Sequence, residues 1–219
     1  MKLRIYSHNS ADNILLQEPF YDCYKELIWV CENTPLSVYK NKSNAQAKLD
    51  IVQQIMDSYL NVQFKTLGWD AGYPFRINDE YIKLDYLKEF TSKDNSFGIH
   101  LEVEFGNVAS SYRNYFKLQL VNNMTKNNIG IIILPTESLS KRIDSGVATF
   151  EKTINEISFA KYIFNFPLLI IGLDDNGTEE INLKNTDLSL KELQNKANIK
   201  HELFVLDYIN SLGQKSPSY

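Results

Sequence analysis

The sequence predicts an α/β protein with a central mixed β-sheet flanked by helices on both faces. Three observations lead there. Residues 129–134 and 166–173 are almost wholly apolar, with the length and character of strands buried on both faces. Residues 80–105 alternate apolar and polar side chains on either side of a polar cluster, the pattern of a β-hairpin. Segments with apolar residues at helical spacing lie between these runs, so strands and helices alternate along the chain.

Residues 2–6 read as a short strand. Pro19 suits the first turn of a helix, and Phe20, Tyr24, Leu27, Ile28 and Cys31 keep helical spacing until Asn33-Thr34-Pro35 ends it. Ser43 or Asn44 caps a second helix, with Val52, Ile55, Met56 and Tyr59 on one face. Residues 68–74 form a loop. In the first hairpin strand, Ile82, Leu84, Tyr86 and Phe90 share one face, and Lys83, Asp85, Leu87 and Glu89 share the other. Residues 91–96 make a long polar turn. In the second strand Leu101, Val103 and Phe105 face a core, while Glu102 and Glu104 face the other side. A third helix covers 109–121 with Tyr112, Tyr115, Phe116 and Leu120 as its apolar stripe, and a fourth covers roughly 148–159. After a turn at Asp174-Asp175-Asn176-Gly177 the chain is polar. Residues 188–193 and 201–209 are helix candidates, and 214–219 read as frayed.

The chemistry concentrates at Glu102 and Glu104. Two carboxylates on one strand face repel unless positive charge lies between them. A hard cation such as Mg²⁺, which takes oxygen ligands, meets that need. The hairpin brings an acid of its first strand beside the pair. Asp85 is one candidate for this third carboxylate, and Asp94 and Glu89 are rivals. Such a site polarises a phosphoryl oxygen and activates a bound water. The plainer alternative is a solvated strand face with no chemistry.

Composition bounds the rest. With 219 residues, 43% hydrophobic and 23% charged, a single domain with a full core is expected. Cys23 and Cys31 lie eight residues apart on a predicted helix and read as free thiols. No apolar run reaches the ~18 residues of a membrane span, and no signal peptide opens the chain, so no membrane partner and a soluble, cytoplasmic location are expected. The net charge of −4 argues against nucleic acid, whose binders are often basic. Lys83, Lys88, Arg113, Lys117, Lys141 and Arg142 nevertheless cluster in sequence around the acidic pair. No Gly-rich phosphate loop and no Ser-His-Asp or Cys-His arrangement is present.

Short motifs then resemble one family in shared order and spacing. Leu84-Asp85-Tyr86-Leu87-Lys88-Glu89-Phe90, the seventeen-residue step from Asp85 to Glu102, and Glu102-Val103-Glu104-Phe105-Gly106-Asn107 resemble the BamHI/BglII/BstYI group of type II restriction endonucleases. Val108-Ala109-Ser110-Ser111-Tyr112-Arg113, Ile131-Ile132-Ile133-Leu134-Pro135, Ser145-Gly146-Val147 and Phe166-Pro167-Leu168-Leu169-Ile170-Ile171-Gly172 are similar to further segments of that group. The likeness runs to about residue 173, and residues 174–219 resemble nothing in it.

The resemblance implies a restriction-endonuclease-like fold and Mg²⁺-dependent hydrolysis of double-stranded DNA by a homodimer. Asp85, Glu102 and the Val103 carbonyl would hold the metal. Glu104, where many relatives carry lysine, would bind a second metal or accept a proton, and Asp70 is a further candidate acid. Asn107, Ala109, Ser110, Arg113, Ser145 and Gly146 match positions that contact DNA. A GATC-centred palindrome cut to leave 5′ overhangs is implied, with a degenerate or non-guanine outer pair, because Ser145-Gly146 stands where a guanine-specific relative has Asp-Arg. A DNA-binding module without catalysis, and a non-specific Mg²⁺-dependent nuclease or phosphohydrolase, are the competing readings.

Overall fold

The computed structural model describes residues 1–77, 80–92, 95–125 and 127–213. The N-terminal part comprises β1 (Lys2–His8), α1 (Ala11–Leu15), α2 (Tyr21–Glu32), β2 (Leu36–Val38) and α3 (Gln53–Thr66). The middle follows with β3 (Asp70–Ala71), β4 (Pro74–Ile77), β5 (Glu80–Lys83), β6 (Tyr86–Ser92), β7 (Asn95–Val103) and α4 (Val108–Met124). Then come β8 (Asn128–Pro135), α5 (Glu137–Ile143), α6 (Phe150–Phe159) and β9 (Leu168–Asp174). Beyond these lie β10 (Glu180–Asn182), α7 (Leu190–Gln194) and α8 (Ile199–Ser211).

Six strands form one sheet in the order β1-β9-β8-β7-β6-β3. Strands β7, β8 and β9 are parallel, while β1, β6 and β3 join antiparallel, so the sheet is mixed as predicted. The two-residue period of β8 divides the core. Ile129, Ile131 and Ile133 pack with Leu15, Leu27, Leu60 and Leu139 from α1, α2, α3 and α5. Ile132 and Leu134 pack on the opposite side with Tyr115 and Leu118 of α4 and Phe150 and Ile157 of α6. Helices therefore cover both faces. Cys23 and Cys31 are buried free thiols.

Several elements depart from the sequence expectation. The first hairpin strand is not continuous: β5 pairs with β4 in a separate two-stranded sheet, and only β6 joins β7. The break falls at Leu84 and Asp85, where Leu84 N–H donates to the Tyr73 carbonyl at 2.9 Å and Gly72 N–H to the Asp85 carbonyl at 2.8 Å. The polar turn is shorter than expected, since β6 and β7 still pair at Ser92 and Asn95; Asp94 and residues 214–219 lie outside the described residues.

The second helix begins at Gln53, well after Ser43 and Asn44, because residues 39–51 spend their backbone elsewhere. Tyr39 N–H donates to the Asp50 carbonyl, and the Asp50 and Ile51 N–H groups donate to the Arg142 carbonyl. Pro19 precedes α2 rather than entering it. The expected stripe of α4 is also rotated. Ser111, Asn114, Tyr115, Lys117, Leu118 and Val121 are buried, whereas Tyr112 and Phe116 are exposed.

The segment after β9 folds back onto the body. Strand β10 pairs with β2, and Leu183, Leu193 and Val205 bury Val52 and Ile55 beside α3. Arg142 joins the two parts through Asp50, Asp175 and Glu180.

Candidate active site

The acids of β7 do not lie on a solvated face. Glu102 is 0% exposed and Glu104 5%, which removes the plainer alternative, because a carboxylate is buried only where something compensates it. Parallel pairing with β8 sets Glu102 beside Ile132, and Ile132 packs toward α4. There Lys117 Nζ donates to Glu102 Oε2 at 2.5 Å and to the Lys83 carbonyl at 3.0 Å. One turn earlier, Asn114 Nδ2 donates to Glu104 Oε2 at 3.1 Å. The Gly106 N–H donates to Glu104 Oε1 at 2.6 Å. A Cβ at position 106 would stand 2.5 Å from that oxygen, so this contact requires glycine. The rotated stripe of α4 follows from these bonds: its inward face is polar because it serves two carboxylates.

Asp85 reaches the same place from the break between β5 and β6. Continuing the antiparallel register one step past Tyr86 and Leu101 sets it beside Glu102. Its Oδ2 accepts the Val103 N–H at 2.9 Å. Burial, then the nearby Asp85 charge, pushes Glu102 up to about 8 against the pull of Lys117. Glu104 is raised to about 7, mainly by burial and opposed by the Gly106 N–H. Glu102 Oε1 is buried with no hydrogen-bond partner among the described residues.

A cavity of about 590 Å³ opens beside Asp85 and Val103 and is also lined by Asp57 of α3. Among the described residues no three His, Cys, Asp or Glu side chains are gathered closely enough to hold a metal as they stand. Glu102 and Glu104 are instead bonded to Lys117 and Asn114 of α4. The donor chemistry still fits a hard cation: an orphaned carboxylate oxygen beside a second carboxylate is what such an ion would satisfy.

The remaining predicted residues divide. Asp70 is exposed on β3, opposite Leu87, and its neighbours Ala71 and Gly72 line the cavity instead. Glu89 is exposed and pairs with Gly98, farther along β6. Asn107 caps α4, accepting the Ser110 N–H at 3.1 Å, and forms an isolated bridge with Val147. Val108 N–H donates to the Gly146 carbonyl at 3.1 Å, so the start of α4 and the loop bearing Ser145 and Gly146 are brought together. Gly146 has φ +78°. Asn107, Ala109, Arg113, Ser145 and Gly146 are exposed. Of the flanking cations, Lys88 is paired with Glu26 and Arg142 with its three acids.

Sequence reasoning missed Asn114 and Asp57, and counted Lys117 only among nearby cations. The available signal was the three-residue spacing of Ser111, Asn114 and Lys117 on one helix directly after the acidic strand.

The structure thus sets buried acids on a central strand of a mixed sheet, with a third acid beside the adjoining strand. The family described as restriction endonuclease BglII/BglIII matches residues 3–173. The chain belongs to that family and is a type II site-specific deoxyribonuclease. The solved structure of BglII complexed with a DNA 16-mer is similar at a TM-score of 0.63 and 19% identity, covering 80% of this chain and 77% of that one. Free BglII is similar at a TM-score of 0.54 and 18% identity, covering 79% of each chain. At these identities the likeness speaks for the fold. No curated protein matches the sequence.

Proposed function

We propose that the protein hydrolyses phosphodiester bonds in duplex DNA at a short GATC-centred palindrome, with Mg²⁺, leaving 5′ overhangs. The observation that carries this reading is the buried Glu102, whose Oε1 is orphaned beside Asp85. Asp85, Glu102 and the Val103 carbonyl would hold Mg²⁺, which when bound neutralises phosphate charge and supplies an activated water.

The chain's own residues do the rest. Lys117 fixes the orientation of Glu102. Glu104, raised to about 7, is matched to accepting a proton near neutral pH. Asn114 and the Gly106 N–H hold its carboxylate in place. Asn107 presents an amide able to pair with adenine N6 and N7, and Ser110 and Arg113 continue the DNA-facing edge of α4. Ser145 and Gly146 lie opposite them and would meet the outer base pair.

A palindrome calls for a two-fold protein, and the proposed interface of this homodimer is formed by α4 and α6. Tyr112, Phe116 and Met124 on α4 and Phe159, Tyr162 and Ile163 at the end of α6 are all exposed, more apolar surface than a solvated face needs.

Incubation with plasmid DNA and Mg²⁺ tests the reading. Discrete fragments support it, a smear indicates a non-specific nuclease, and retained binding without cutting indicates a binding module.

A further inference from the structure

The family match ends at residue 173, yet the chain beyond it forms a wall of the active-site cavity. Lys196, His201 and Val205 line that cavity together with Asp57, Asp85 and Val103. The segment is anchored there by the β10–β2 pairing and by the small core of Leu183, Leu193 and Val205 against Val52 and Ile55. Its position relative to Asp85 is therefore set by packing.

Two features of this wall favour an anion. Lys196 Nζ lies 2.6 Å from Asp57 Oδ2, with the Lys196 side chain 50% exposed. Helix α8 presents the side bearing His201, Glu202 and Val205 to the cavity, while its first amides are capped by Asn198. His201 is 1% exposed, and its Nε2 is buried with no hydrogen-bond partner among the described residues. Among the charged residues of the lining, Asp57, Asp85 and Glu202 stand against Lys83 and Lys196. The cavity therefore does not hold phosphate by charge alone, and Lys196 is one of two lysines able to do so.

We propose that the segment after residue 173 is part of the DNA-binding surface and that Lys196 is a ligand for a backbone phosphate, held by Asp57 until DNA arrives. This rests on the reading of the site as a DNA phosphodiesterase. The Lys196 side chain is 50% exposed and the Asp57 side chain 24%, so solvent screens part of the pair and Asp57 competes with phosphate for the ammonium. A charge-assisted bond to phosphate, with counterion release, outweighs the ion pair.

The test is equilibrium binding of the full chain to a GATC-containing and an unrelated duplex, without metal so that nothing is cut, across a range of NaCl. Lys196→Met is expected to weaken both duplexes several-fold and by the same factor. It should lower the slope of log K against log salt by about 0.9 for each phosphate that is no longer neutralised. Asp57→Asn is expected to bind DNA as tightly or more tightly, with the slope unchanged. Lys200→Met serves as control, because Lys200 pairs with Glu192 and does not line the cavity. An unchanged slope in both Lys196→Met and Lys196→Gln, with melting temperatures at the parent value, would overturn the proposal. So would an equal drop in Lys200→Met, or a loss in Asp57→Asn matching that in Lys196→Met. Failure of the unsubstituted protein to bind either duplex would instead overturn the nuclease reading on which the proposal stands.

Discussion

Lys117 of α4 holds one oxygen of Glu102 at 2.5 Å and leaves the other buried without a partner among the described residues. In the free protein the ammonium stands in for part of the positive charge that a divalent ion would bring. The acidic strand and the helix behind it thus form one electrostatic unit, and the first predictions concern it.

Glu102→Ala should abolish cleavage, by at least a hundredfold, and leave DNA affinity within a few-fold of the parent. The substitution removes the proposed metal ligand, which would act chiefly in the transition state, and leaves the proposed DNA-facing edge untouched. Asp85→Ala should behave alike. Cleavage and gel-shift assays check both, and a Glu102→Ala protein that cuts within tenfold of the parent would remove the proposed metal site.

Above about pH 8, where the folded Glu102 is ionised, Lys117→Met strips the buried carboxylate of its counter-ion. Breaking such a pair typically destabilises by about 3–5 kcal/mol. The double substitution Glu102→Gln with Lys117→Met removes both charges and should recover most of that loss. Urea unfolding of the three proteins checks it, and a double variant no more stable than Lys117→Met would show that the pair does not act as a unit.

Glu102 should make a contribution to the stability of the metal-free protein that falls as pH rises through the interval between its ordinary and folded values. An unfolded glutamate titrates near 4.5, whereas burial and Asp85 push the folded group up to about 8. Between these limits the folded state keeps a proton that the unfolded chain has released, so this contribution falls with rising pH. Glu102→Gln should flatten this slope. Mg²⁺ requires the carboxylate form, so the rise in melting temperature on adding Mg²⁺ should grow across the same interval. Thermal melts of both proteins at several pH values with and without Mg²⁺ decide it, and a Glu102→Gln protein with the same pH slope as the parent would contradict the burial argument.

Phe116→Asp or Phe159→Asp should convert a dimer to a monomer by placing charge in an apolar interface. Both residues are largely exposed in the isolated chain, at 63% and 84%, so neither change should lower the melting temperature of the monomer by more than a degree or two. Sedimentation of the parent as a monomer, both free and on DNA, would refute the interface.

Sequencing the ends of a digested genome should return GATC flanked by a degenerate or non-guanine outer pair. A strict GGATCC site would refute the role given to Ser145, and a site lacking GATC would refute the specificity while leaving the nuclease intact.

The fold class was legible because its strongest signals are local. The apolar runs of β8 and β9 are long, and β7 alternates across the acids. The polar side of α4 was not legible: Ser111, Asn114 and Lys117 look like surface residues until Glu102 and Glu104 are known to lie behind them. Tyr112 and Phe116 then appear as core when they are in fact outside. Residues 39–51 misled for a similar reason, since the Arg142 carbonyl that accepts the Asp50 and Ile51 N–H groups is far away in the chain. Asp57 and Lys196 meet only because α8 returns to α3, an approach that no spacing announces.

Gly146 bears on how the enzyme's choice of bases could change. Its φ of +78° lies where residues with a Cβ are disfavoured, by about 1–2 kcal/mol. The space around it is open, with nothing within 4 Å of where a Cβ would stand, so the obstacle is the main chain and not a neighbour. Grafting a guanine-reading arginine at this position would therefore meet resistance from the loop before it met any base. If the proposed role of Ser145 and Gly146 holds, a lineage or an engineer seeking a stricter outer pair would have to reshape the turn first, so that recognition there would be limited by the backbone as well as by the small residues themselves.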